Sequence, residues 1–159
     1  HVSTMVTALR RWASKTGVQP EKTFIWICFF VNNQYRILLE QSQTGSDDLG
    51  QVFASRLMRC GRVLVLLDSF HEPLYVQRLW CVYETYQATK HKVPVEVILP
   101  DEAFARLQEY LEKGRFQEIT KSLIDISVEK ATAWSKIDEE SIKKQIRETI
   151  GYRKVDEVV

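Results

Sequence analysis

Cysteine is scarce and odd in number: the chain has three, Cys28, Cys60 and Cys81. Wide spacing and an unpaired third thiol rule against a disulfide framework. The expectation is free cysteines that pack as small buried hydrophobes in a reducing compartment, the cytoplasm. Histidine is equally thin, with His1, His71 and His91 and no short-spaced ligand pair, so no metal site is expected. The six glycines never fall into GxGxxG, GxxxxGK[ST] or GxSxG, and no HExxH helix occurs, so the common dinucleotide, phosphate-loop, hydrolase-elbow and zinc-protease signatures are missing. An excess of one charge is missing too: 22 basic against 21 acidic residues leave +1. That argues against a nucleic-acid or anionic-membrane surface, and Arg10–Arg11, Lys90–His91–Lys92 and Lys143–Lys144 read as solvated faces. The longest apolar run, Phe24 to Val31, is far too short to span a bilayer, so no transmembrane segment is expected. No signal-peptide pattern follows His1, and the chain is read as a fragment or a processed piece, which leaves room for a targeting segment outside it.

What is present suits one globular domain over residues 1–159, with 45% apolar and 27% charged residues. Ser3 can cap a helix to about Lys15, with Met5, Leu9 and Trp12 on one face and Gly17 and Pro20 as stops. Thr23–Val31, TFIWICFFV, reads as a strand buried on both faces of a parallel sheet. Tyr35–Glu40 fits either of two states, and polar Gln41–Asp48 reads as a loop. Asp47 or Asp48 then caps a helix to about Arg59, with Leu49, Val52, Phe53, Leu57 and Met58 inward. Arg62–Asp68 is a second buried strand, Ser69–Pro73 a loop, Leu74–His91 a helix and Val93–Leu99 a third strand. Asp101 caps a helix to Lys113, Phe116–Leu123 is helical, Asp125–Glu129 is a short fourth strand, and Asp138 caps a helix to Ile150.

Strands alternating with helices predict an α/β fold, a three-layer sandwich around a parallel sheet. Ligands in such sheets gather beyond the carboxyl ends of the strands. That rule selects Asn32–Asn33–Gln34, Asp68–Ser69 with His71, and Pro100–Asp101. The alternative for the two asparagines is a helix cap or a turn. The most distinctive segment is Gln77–Glu84, QRLWCVYE, on the helix after the second strand. Trp80 and Glu84 are four apart and share a helix face. An indole beside a carboxylate can hold a flat cationic ring, and the carboxylate can stabilise a developing oxocarbenium ion. The plainer alternative has Trp80 in the core and Glu84 paired with a base such as Arg78 or Lys90.

The stretch from about Asp47 to Glu84 resembles the Toll/interleukin receptor (TIR) domain, in which a Val- and Leu-rich strand and a short loop lead to a Ser-x-Trp-Cys-x-x-Glu helix. Here the span reads RVLVLLDSFHEPLYVQRLWCVYE, with Trp80, Cys81 and Glu84 in place and the strand PVEVILP following. It looks most like the divergent TIR-like domains of algae and protists, in which Arg-Leu-Trp-Cys is common. The specific likeness covers residues 61–100. It implies a flavodoxin-like fold whose first strand lies before His1, the preferred mapping; in the other mapping, Thr23–Val31 is the central strand and Tyr35–Glu40 the second. The sequence departs from the pattern at Arg78 for Ser, Thr85 for Leu and Cys28 for an acidic residue.

The resemblance implies two functions. The first is a protein-interaction or scaffold module that binds protein partners or its own copies, with Gln41–Asp48 at the position of the family's assembly loop. The alternative is an NAD hydrolase that cleaves the nicotinamide glycosidic bond. In it the resemblance carries over only Glu84, as the catalytic carboxylate, with Trp80 as the aromatic neighbour that shapes the pocket; Asn32, Asn33 and Ser69, selected by the strand-end rule, join Trp80 in holding NAD as the substrate, and no resident cofactor is required. A third reading is a structural subunit of a larger assembly docked through Trp12, Tyr35, Phe70 or Tyr152.

Overall fold

The computed structural model describes residues 2–27, 46–124, 127–133 and 135–157, with the backbone alone at 46–52 and 123–124. These residues are mostly helical around a small two-stranded parallel sheet, β1 (Val63–Leu66) beside β2 (Val95–Ile98). Val63 pairs with Val95 and Leu66 with Ile98. The ladder runs one step further at each end, through Val63 N–H to the Pro94 carbonyl at 2.9 Å and Leu67 N–H to the Ile98 carbonyl at 3.0 Å. Parallel neighbours need a long crossover, and the helices between the two strands supply it.

The first helix, α1 (Val2–Thr16), ends within a residue of the expected Lys15, but Ser3 lies inside it and is not its cap; Ala8 and Ala13 are buried. The helix contacts β2 through Trp12, whose Nε1 donates to Glu96 Oε2 at 2.8 Å; Glu96 is also ion-paired at 3.1 Å with Arg62, the residue before β1. Arg11 donates to Asp101 at 2.6 Å and to the Leu99 carbonyl, fixing α1 against the start of the helix after β2. The next helix, α2 (Ser46–Cys60), begins ahead of the aspartates expected to cap it. Gly61, at φ +70°, lets the chain turn straight from α2 into β1, and its N–H closes on the Leu57 carbonyl at 2.9 Å.

Several sequence expectations fail for identifiable reasons. Residues 23–27 are not a strand. Thr23 still bonds back to the preceding turn, through N–H to Pro20 at 3.2 Å and Oγ1 to Gln19 at 2.7 Å, and Phe24 is 94% exposed. The rest of Thr23–Val31, and Tyr35–Glu40 with it, lies outside the described residues. Met58, expected inward, is exposed, whereas Leu57 beside it is buried. Cys60 is an exposed free thiol, and Cys81 is half-buried. The expected Leu74–His91 helix is two, α3 (Leu74–Gln77) and α4 (Leu79–Lys90), with Arg78 extended between them at φ −97°, ψ 110°. The cause is a distant segment. Leu79 N–H donates to the Thr132 carbonyl at 2.9 Å and Thr132 N–H to the Gln77 carbonyl at 3.0 Å, a short parallel bridge that replaces the helical bonds lost.

Beyond β2 come α5 (Asp101–Glu112), α6 (Phe116–Ile124), α7 (Lys136–Glu148) and α8 (Tyr152–Asp156). The fourth strand expected at Asp125–Glu129 is not formed in its described part. Val128–Lys130 is a single 3-10 turn, and the Val128 N–H takes Asp156 Oδ1 at 2.8 Å in place of a ladder partner. Ser135, three residues before Asp138, caps α7, its hydroxyl accepting the Asp138 N–H at 3.3 Å.

The main core joins α4 to this C-terminal half. Leu79, Val82, Tyr83 and Tyr86 pack with Val128, Ala131, Ile142, Ile146 and Val155. Tyr86 also accepts a hydrogen bond from Thr149 Oγ1 at 3.0 Å.

Candidate functional site

Leu79, Val82, Tyr83 and Tyr86 recur at three- and four-residue spacing, so they form the face of α4 turned to the core. Trp80 lies at the margin of that face, half-buried, with its ring edge-on to Tyr83 at 5.7 Å and 83°. Tyr83 is 4% exposed and accepts from Gln87 Nε2 at 2.5 Å, a bond that satisfies the buried amide. Burial pushes the Tyr83 phenol up, and the bond from Gln87 opposes that rise in part. Glu84 follows Trp80 by one turn, half-buried and held by interactions within the fold. The indole is thus engaged by the protein's own aromatic cluster.

The other expected site residues have local duties or lie out of view. Ser69 Oγ accepts the His71 N–H at 3.0 Å, which shapes the loop after β1. Asp68 Oδ1 accepts the Leu74 N–H at 2.9 Å and so caps α3, while Asp101 belongs to the Arg11 pair. Asn32 and Asn33 lie outside the described residues. So does Gln41–Asp48 as far as residue 45; from Ser46 it is helix, not loop. The expected docking anchors are largely used internally: Trp12 on Glu96, buried Phe70 against Tyr110 at 5.1 Å, and Tyr152 packed on the core with its hydroxyl on the Lys143 carbonyl at 3.3 Å. Tyr35 is outside the described residues.

A cavity of about 460 Å³ opens where the chain leaves β1. Its walls come from His71–Gln77, from α6 and from the turn at 127–131; neither Trp80 nor Glu84 lines it. His71 Nδ1 is hydrogen-bonded to Ser122 Oγ, and Ser122 Oγ also donates to the Glu118 carbonyl at 2.9 Å. A serine joined to an imidazole suggests a nucleophile and its base. Here, however, the hydroxyl proton is given to the helix backbone, so the His71 Nδ1–H is the donor to Ser122. Ser122 also stands inside a helix whose N–H groups are committed to its own turns, which leaves no oxyanion cradle beside it among the described residues. The pair is therefore a fixed wall, further held by the His71 ring against Phe70 at 4.3 Å.

Sequence reasoning singled out His71 but missed Lys121, Ser122 and Lys130, which come from two segments far from it in the chain. Among the described residues no three His, Cys, Asp or Glu side chains converge as metal ligands, and no helix is long and apolar enough to cross a membrane. No family model, curated protein or solved structure matches the chain.

Proposed function

We propose that the chain is a TIR-like interaction module that acts through its surface by binding protein partners or its own copies. The observation that carries this reading is the engagement of Trp80. Its indole packs edge-on to Tyr83 at the margin of the core instead of lining the cavity beyond β1. An NAD-cleaving site would need an aromatic wall and the Glu84 carboxylate facing a common cleft. The surface adds support. Phe104 and Leu111, two turns apart on one face of α5, are 40% and 44% exposed, and Phe116 at the start of α6 is 57% exposed. Exposed apolar side chains that share one helix face, as Phe104 and Leu111 do, suit association more than isolated ones. The order of parallel strand, crossover helix carrying Trp-Cys-x-x-Glu, and parallel strand agrees with the sequence resemblance, although a fold by itself assigns no activity.

Sedimentation of the purified chain over a wide concentration range, alone and with candidate partner domains, tests the reading. Mass that grows with concentration or with partner, and that Leu111→Glu reduces, is the expected result. A strictly monomeric chain that retains no partner and releases nicotinamide from NAD would overturn it in favour of the hydrolase.

A further inference from the structure

From its charge and position we infer that the cavity beyond β1 is a binding site for a small organic phosphate monoester. This goes beyond the interaction reading and is independent of it. The volume of about 460 Å³ falls in the range of small-molecule sites, and His71–Pro73 places it just past the carboxyl end of a parallel strand. Lys121 on α6 and Lys130 on the neighbouring turn both line it. Among the described residues neither ammonium forms an ion pair. Two carboxylates also line the cavity, Glu72 and Glu118. Glu118 is held by Arg115 through two parallel N–H bonds, and that pairing, with a smaller contribution from His71, keeps its pKa below the usual carboxylate range. Its charge is therefore already balanced. The two lysines and two glutamates of the lining balance, and Arg115, which stands outside the lining and offsets Glu118, leaves one positive charge in excess around the cavity.

The donor set decides the class of anion. Gln77 and Ser127 line the cavity together with the two ammonium groups, and this set of donors matches a dianion with three acceptor oxygens better than a carboxylate with two. Pro73, Val76 and Ala131 give the same cavity an apolar side, which suits the organic body of an ester and offers nothing to inorganic phosphate. Lys121 and Lys130 are both exposed, so replacing them leaves the core intact.

Titrations of the chain with phenyl phosphate, inorganic phosphate, benzoate and phenol, followed by calorimetry and by the His71 ring resonances, test the assignment. Phenyl phosphate should bind most tightly and move the His71 signals to saturation, phenol should not bind, and added salt should weaken the complex. Lys121→Ala and Lys130→Ala should each raise its dissociation constant about tenfold, the loss of one charge-assisted bond, with unchanged thermal melts. Three results would each overturn the inference: benzoate or phenol binding as tightly as phenyl phosphate, a dissociation constant indifferent to both lysines, or no saturable change at His71 with any probe.

Discussion

Replacing Trp80 by alanine separates a structural indole from one held open for a ligand. Complete truncation of a buried Trp or Phe costs about 3–5 kcal/mol. Trp80 is half-buried, so about half of that, roughly 2 kcal/mol, is at stake in packing. The edge-on contact with Tyr83 at 5.7 Å adds about 0.5–1 kcal/mol. The expected loss is therefore about 2–3 kcal/mol. With a urea slope of roughly 2 kcal/mol per molar, the midpoint should fall by about 1 M at constant slope. Trp80→Phe retains a ring beside Tyr83 and should recover about half of the loss. Urea unfolding followed by circular dichroism reads all three proteins. A change below about 0.5 kcal/mol, the level of an unremarkable surface substitution, would mean that the indole contributes nothing to the core. A surface-acting module would then lose its support.

Two further outcomes follow from local chemistry. Glu139 accepts from Lys143 at 3.1 Å, the Ala133 N–H at 3.2 Å and Lys136 at 3.1 Å, which lowers its pKa to about 2, the Lys143 bond contributing most. The folded pKa lies below the unfolded one near 4.3, so the unfolded chain binds the extra proton first and stability falls as pH drops from about 4.3 toward 2. Glu139→Gln should flatten that part of the pH–stability curve, and an unchanged curve would refute the assignment. Gly151 sits at φ 77°, ψ 159°, a conformation close to glycine-only, with open space where a Cβ would stand. Gly151→Ala should therefore cost about 1–3 kcal/mol from backbone strain alone, and a neutral thermal melt would show that the turn between α7 and α8 relaxes freely.

The parts of the fold legible in the sequence are those in which local pattern and tertiary packing agree. VLVL and VEVI are short runs with Val at every second position, and both are strands in parallel register. Gly61 and Gly114 mark helix ends because their positive φ suits glycine. The break at Arg78 has no local signal, neither Gly nor Pro; it exists because Thr132, far away in the chain, supplies two backbone bonds. Val128 is apolar and reads as strand, yet Asp156 serves its N–H and the core claims its side chain. The run starting at Thr23 is apolar enough for a central strand, but its described residues leave Phe24 in solvent. Hydropathy records what could be buried, and connectivity decides what is. The Trp80–Glu84 spacing was legible and both residues do lie on one helix, but spacing could not reveal that Tyr83 would occupy the indole. The lysine-lined cavity was invisible in the sequence because its walls are drawn from three separated segments.

The most direct test of the central claim is nicotinamide release. Chain and NAD are incubated together, and free nicotinamide is quantified for the parent and for Glu84→Gln. An interaction module whose Trp80 is engaged in packing predicts no release above buffer for either protein. Turnover by the parent that Glu84→Gln abolishes would contradict the account and place a glycosidic cleavage site on α4.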